Sequence, residues 1–388
     1  MKTYDIGEIE AGVYFTKPVF LDQKYILLTP ETQFSEDLKQ RLDKWGYEKI
    51  LSDGSTVYSP LADTSTGDDR VSFSVDKDLK EKAQIKEAEE FVNEILSFVE
   101  NTFTAFVSKN TIAERSISEN IKRMIEMVRS HRRYLLRFGE MKLKEKNYLV
   151  THTTKTAIIA IIIGMTQRLP PHKLIELGTA ALLHEIGMIR LPPQLYMSDK
   201  RLNDKERQAI SAHTVLGFKI LRQASFPVSV CLGVLECREN HDGSGYPRKL
   251  TGEKIGLYAK IIMVAGSFAA MTSKRPFRGA LEGHAAILEM LQQKGKMYDE
   301  NILKSLIQNM SLYPIGTYVQ LANGQRGMVV DANLENPRAP RVKIVMGPNN
   351  ERYAEQPVVA TEESPEHRVV RAISPESLSA QREKTANV

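Results

Sequence analysis

Cysteine is nearly absent. Only Cys231 and Cys237 occur in 388 residues, too few for a disulfide framework, and a reducing cytoplasm is the expected compartment. Long apolar runs are also missing. The longest, "AIIAIIIGM" at 157–165, falls far short of the roughly 20 residues that span a bilayer; it reads as a buried helix, and no membrane insertion is expected. The opening "MKTYDIGEIE" lacks the apolar stretch of a signal peptide. Charge of one sign is scarce too. With 53 basic against 48 acidic residues, the formal excess is +5. A solvated mixed surface accounts for it, and nothing demands a nucleic-acid polymer as partner. No repeat or low-complexity array occurs. What is present is 42% apolar content, in a chain long enough for two or three domains with sizeable cores.

Composition divides the chain. Residues 1–60 alternate short apolar runs with turn formers and include a helical piece, "SEDLKQRLDKWGY", with Ser35 placed as its N-cap. This predicts a small α/β module. Residues 61–75 are rich in turn formers and read as a linker. From 76 to 140 the period is helical: Phe91, Ile95, Phe98, Val99, Phe103 and Phe106 recur at three- and four-residue spacing, then Ile121, Met124, Ile125 and Val128. These helices suit either a second copy of the chain or its own core. The basic cluster "RSHRRYLLR" at their end reads as a solvated helix terminus favoured by the helix dipole. A helical domain follows over 141–310. Alternating Val and Tyr with an Asn323-Gly324 turn predict two or three antiparallel strands in a β-rich extension over 311–360. The polar segment 361–388 has no period and is expected to be disordered.

The chemistry-bearing residues gather in the helical region. His152 opens an apolar helix, His184 and Glu185 end another, and His213 opens a third. Imidazoles and a carboxylate on neighbouring helices are a way to surround a metal ion. Taken singly, each histidine reads as a satisfied core or helix-end residue; the ordered set carries more. It is followed by "HDGSGYPRKLTGEKI", in which Gly243 and Gly245 permit positive φ and close backbone approach and Pro247 fixes the exit. Such a loop either caps a site or ends a helix sharply.

The order His152, His184-Glu185, His213 and then Asp242-Gly243-Ser244-Gly245-Tyr246-Pro247 resembles the HD-GYP domain. That domain is a subgroup of the HD phosphohydrolases, metal-dependent enzymes that hydrolyse cyclic di-GMP. The resemblance covers roughly residues 140–310 and implies a mainly α protein: an all-helical HD-type domain between a small α/β N-terminal module and a short β-rich C-terminal extension. It implies His152, His184, Glu185 and His213 as metal ligands, with Glu185 as the catalytic carboxylate. Tyr246, Arg275 and Arg278 fall on the substrate side.

Several positions depart from the family's pattern. The His-Asp pair is His184-Glu185, longer by one methylene. The lysine that follows the glycine in the family is Met188. The paired histidines are replaced by Cys237 and Arg238 ahead of a retained Glu239, and the tryptophan before the loop is His241. The late metal-binding aspartate falls at Gly266 and its companion acid at Ala269. Two-metal hydrolysis needs a bridging carboxylate and several further ligands on each ion. Four groups suffice for one ion at most, iron, manganese or zinc, and the expectation is one divalent ion or none. Arg238, charged at any physiological pH, repels a second cation and is placed to neutralise Glu185.

The expected function is therefore a cyclic di-GMP signalling protein with a degenerate HD-GYP domain, inactive or very weak as a phosphodiesterase, that binds the nucleotide, a protein partner, or both. Two alternatives stand beside it. One is an active phosphodiesterase with a single or atypical metal site that recruits Glu239 or His241. The other is a helical scaffold that has lost nucleotide binding as well.

Overall fold

The alternating apolar runs at the N-terminus form a four-stranded antiparallel sheet, a two-stranded pairing of Tyr14–Phe15 with Thr56–Val57, and a helix. A computed structural model describes residues 2–21, 26–28, 32–44, 47–58, 69–138, 141–196, 203–273, 279–333, 335–349, 351, 353, 356–362 and 364–374, with side chains at 26 and over 69–81 excepted. It divides into two units, Met1–Glu81 and Lys82–Val388. In the first, strands Lys2–Asp5, Lys49–Ser52, Val19–Phe20 and Ile26–Leu28 lie side by side in that order. Helix α1 (Glu36–Lys44) starts where Ser35 Oγ accepts from the Leu38 amide at 3.2 Å, as its capping position requires. Phe15, Val19, Phe34, Leu42 and Ile50 form the centre of this unit's core.

The second unit is mainly helical. Between Gly67 and Gly139 the sequence contains neither glycine nor proline, and two helices occupy that run: α2 (Asp69–Lys109) and α3 (Glu114–Leu135). Helix α2 thus begins inside the stretch expected to be a linker, because the charged helix formers after Asp69 meet no breaker; residues 61–68 lie outside the described residues. Next come α4 (Tyr148–Thr166), α5 (Pro171–Leu183), the short α6 (Pro193–Tyr196), α7 (Asp204–Ser211), α8 (His213–Gln223) and α9 (Val228–Glu236). Helices α10 (Leu257–Met271), α11 (Gly283–Gln292) and α12 (Glu300–Met310) complete the set. One hydrophobic cluster runs from Phe91 and Ile95 on α2 through Ile121 on α3 to Leu306 on α12. The amphipathic faces of α2 and α3 are therefore buried in the core of their own unit.

Helix α4 is the axis of that core. The Asn147 side chain caps it by accepting from the Val150 amide at 3.0 Å. By length and composition it is apolar enough to cross a membrane, yet 83% of its most apolar window is buried inside the protein. A helix apolar on every side belongs in such a position.

The C-terminal extension exceeds the expected two or three strands. Strands Val358–Ala360, Arg341–Met346, Arg326–Asp331, Tyr318–Leu321 and Val369–Ile373 form one antiparallel sheet in that order. The segment expected to be disordered from 361 therefore supplies a strand, Val369–Ile373, which pairs with Tyr318–Leu321. Its apolar alternation is too short to register as a period, and a neighbouring strand holds it. Residues 375–388 lie outside the described residues.

The basic cluster ending α3 also departs from expectation. Arg132 donates to Asn309 Oδ1 at 2.9 Å, and Arg133 and Arg137 both donate to the Val330 carbonyl, at 2.9 and 3.1 Å. These guanidiniums tie the end of α3 to α12 and to the C-terminal sheet; they are not a solvated helix end.

One close approach sets the position of the histidines described below. Gly187, in the short 3-10 segment Ile186–Arg190, lies against the start of α8: a Cβ there would collide with the His213 carbonyl and stand 2.7 Å from the Gly217 amide nitrogen. Both obstacles are backbone and cannot swing aside. Gly187→Ala is expected to destabilise the protein by about 3 kcal/mol, the upper range for an overpacked core, measured by denaturant unfolding; a change within experimental error would contradict this packing.

Candidate functional site

Four helix ends, those of α4, α5, α8 and α9, converge on one carboxylate. His152 lies in the first turns of α4, His184 caps the C-terminus of α5, Glu185 follows it, and His213 begins α8. All four are buried. The carbonyls three residues upstream orient two of the rings: His184 Nδ1 donates to Ala181 O and His213 Nδ1 to Ile210 O, each at 2.7 Å. A carbonyl only accepts, so the proton of each neutral ring sits on Nδ1 and the Nε2 lone pair faces inward. Glu185 Oε1 stands 3.5 Å from His184 Nε2 and 3.9 Å from His152 Nε2, and Oε2 stands 3.7 Å from His213 Nε2. The ligand atoms of His152, His184 and Glu185 all lie within 4.8 Å of one another, a grouping that suits a metal ion. His213 approaches the other oxygen of the same carboxylate.

Arg238 enters this cluster directly. Its Nη2 donates to Glu185 Oε1, as its placement in the sequence suggested. Burial opposes ionisation of Glu185, but the Arg238 guanidinium and the surrounding imidazoles hold the carboxyl well below the usual carboxylate range. Burial pushes His184 down to about 4, against the pull of Glu185 and reinforced by Arg238. His213 is lowered for the same reasons. The fixed charges at the centre are thus one carboxylate and one guanidinium, which cancel. A divalent cation added to this set would leave two uncompensated positive charges in a buried space, where desolvation costs several kcal/mol per ion. By donor type and spacing the residues fit one ion; by charge they oppose it while Arg238 holds Glu185. They do not fit two.

Gly266, one of the positions where the family's pattern is broken, faces the same place. A Cβ at Gly266 on α10 would stand 3.8 Å from His184 Nε2 and 3.7 Å from Thr156, so an acidic side chain there would reach the cluster and glycine leaves that side bare. Burial pushes the Cys237 thiol up to about 12, and its Sγ contacts the Val234 carbonyl at 3.2 Å; it is a buried, protonated thiol directed at the backbone of its own helix. Met188 is buried. Arg275 and Arg278 lie outside the described residues.

Glu239 and His241 are not part of the cluster. Glu239 spends both oxygens on the loop, accepting from the Arg248 amide at 2.6 Å and the Leu250 amide at 3.0 Å. Glu236 does the same one turn earlier, accepting from Arg248 Nη1 at 2.8 Å and the Gly256 amide at 2.9 Å. These two buried glutamates fasten residues 242–256 to the end of α9. Within the loop, Asp242 Oδ1 accepts from the Ser244 amide at 2.9 Å. Gly245 passes so close to α9 that a Cβ would stand 2.5 Å from the Arg238 carbonyl and 2.6 Å from Glu239 Cα. The turn places the half-buried Tyr246 edge-on to His213, 6.3 Å between ring centroids. Tyr148, which sequence reasoning did not single out, stacks on His152 at 5.3 Å; its i, i+4 spacing on α4 was the available signal.

Arg238→Ala would strand the Glu185 charge in the interior. The expected loss is about 3–5 kcal/mol of unfolding free energy in metal-free buffer, the cost of removing one partner from a buried ion pair. Glu185→Gln in the same background should recover part of that loss; no recovery in the double variant would show that the pair is not what couples these positions.

Residues 139–302 match a family model described as HD domain. The cyclic di-GMP phosphodiesterase PdeB of Borreliella burgdorferi is 30% identical over 52% of this chain and 53% of its own length. The cyclic di-GMP phosphodiesterase PA4108 of Pseudomonas aeruginosa is 29% identical over 58% of this chain and 55% of its own. The chain thus spans about half the length of these curated relatives. Among solved structures, Bd1817, a HDG"Y"P protein from Bdellovibrio bacteriovorus, aligns at 14% identity with a TM-score of 0.47, covering 79% of this chain and 97% of that one. The histidine cluster and the glycine loop both lie inside the matched segment, so residues 139–302 form an HD domain similar to those of cyclic di-GMP phosphodiesterases.

Proposed function

We propose that the HD site of this chain binds cyclic di-GMP and hydrolyses it very weakly or not at all, so that the protein acts in cyclic di-GMP signalling as a binding protein, directly or through a protein partner. The observation that carries this reading is the Arg238 guanidinium on Glu185. It neutralises the carboxylate that would otherwise demand a cation, and a phosphodiester approaching the site meets no bare negative charge. Tyr246 offers a ring beside the cluster, and Arg275 and Arg278 are the further phosphate-side residues in this reading. The relatives named cyclic di-GMP phosphodiesterase support the ligand class.

A second reading is favoured by one observation: His184 Nε2, His213 Nε2 and Glu185 Oε2 are buried with no hydrogen-bond partner among the described residues. Such lone pairs suit one divalent ion, iron, manganese or zinc, held by His152, His184, Glu185 and His213. Bound there, the ion would polarise a phosphodiester oxygen and acidify a coordinated water. In either reading, this chain's own residues hold the imidazoles neutral and keep Glu185 ionised.

Cyclic di-GMP binding and turnover, measured on the full chain in chelator and in excess manganese, separate the readings. The expected result is saturable binding that survives chelation, with at most trace conversion to linear product. Rapid manganese-dependent turnover abolished in His184→Ala would overturn the proposal in favour of the one-ion hydrolase. Absence of binding in both buffers would leave a helical scaffold.

A further inference from the structure

Away from the histidine cluster, α4 carries a second buried ionisable group. Lys155 is only 7% exposed. Its Nζ reaches the C-terminal end of α10, 2.8 Å from Thr272 Oγ1 and 3.2 Å from the Thr272 carbonyl, with Ser273 Oγ at 3.5 Å. Both hydroxyls donate their own protons backward, to Phe268 O at 2.8 Å and Ala269 O at 2.7 Å, so they turn lone pairs toward the ammonium. The Phe138 ring lies 5.5 Å away on another side. Every one of these partners is neutral. Among the described residues no carboxylate pairs with Lys155, and burial alone lowers its pKa, to about 8. The group therefore remains mostly charged at neutral pH, with no carboxylate paired to it among the described residues.

The ammonium borders a cavity of about 500 Å³ between the helical core and the C-terminal sheet, walled by Ile159, Phe268, Met310, Ile315 and Met328. None of His152, His184, Glu185, His213 or Arg238 lines it. Arg137, whose Nη2 donates to the Val330 carbonyl, and the exposed Glu282 also stand on its wall. A mainly apolar hollow of this size with a buried ammonium on its wall has the character of a small-molecule site, and a buried cation with no carboxylate paired to it among the described residues is the costly feature that a ligand would relieve. We propose that this cavity binds an amphipathic organic anion, an apolar body bearing one acidic group, carboxylate or phosphate, that pairs with Lys155.

The competing explanation is that Lys155 only caps α10, its charge favoured by the negative end of that helix. Decanoate and 1-decanol distinguish the two, because they share an apolar chain and differ in charge. In calorimetric titrations of the full chain, decanoate is expected to bind saturably and about tenfold or more tighter than decanol, the scale of one charge-assisted hydrogen bond. Lys155→Met should remove that difference. Should this variant not fold, Ala280→Trp, at the exposed rim of the cavity, should weaken decanoate by a similar factor with the ammonium intact. Decyl phosphate in place of decanoate then identifies which acid is preferred. Equal affinity for decanoate and decanol, no binding of either acid, or unchanged decanoate affinity in both variants would overturn the proposal.

Discussion

A single buried ion pair governs the centre of this domain. Glu185 sits where four helix ends meet, surrounded by imidazole nitrogens, and its negative charge has to be answered. In a metal-dependent site cations answer it. Here Arg238 does, from the end of α9. The substitution is self-consistent: the guanidinium cannot deprotonate, so its presence fixes the carboxylate as ionised and removes the electrostatic reason to recruit a divalent ion. The bare flank at Gly266 and the protonated thiol of Cys237 follow the same logic, since neither offers the negative charge that a second ion would need.

The glycine loop is held in place by contacts of its own. Glu236 and Glu239 bind its backbone amides, and Gly245 lets it pass against the Arg238 carbonyl. The loop and the arginine therefore form one unit: the chain that positions Arg238 is the chain the loop closes upon, and Tyr246 covers His213 as a result. A Glu239 that serves as a staple is unavailable as a ligand. The requirement that buried carboxylates be satisfied thus keeps the loop in place without reference to catalysis.

Much of this was legible in the sequence. The helical period over α2 and α3, the capping serine of α1, the three histidines around Glu185 and the contact of Arg238 with it all rest on local spacing or on a dense motif. What sequence could not give depends on distant partners. Arg133 and Arg137 read as a solvated helix end because the Val330 carbonyl that they bind lies nearly two hundred residues away. Val369–Ile373 is a strand only because Tyr318–Leu321 stands beside it, and five residues carry too little pattern to announce that. Glu239 was indistinguishable from a ligand by type alone; its orientation, decided by two loop amides, assigns it elsewhere. Lys155 drew no reading from the sequence, and only packing shows its charge to be buried with no carboxylate paired to it among the described residues.

The central claim is that Arg238 occupies the electrostatic place of a metal ion. Calorimetric titration of manganese into chelator-treated protein, compared with Arg238→His, tests it most directly. The account predicts no stoichiometric binding to the natural sequence and the appearance of at least one site in Arg238→His, where a neutral imidazole replaces the fixed positive charge. Tight stoichiometric binding to the natural sequence, undiminished by the presence of Arg238, would contradict it.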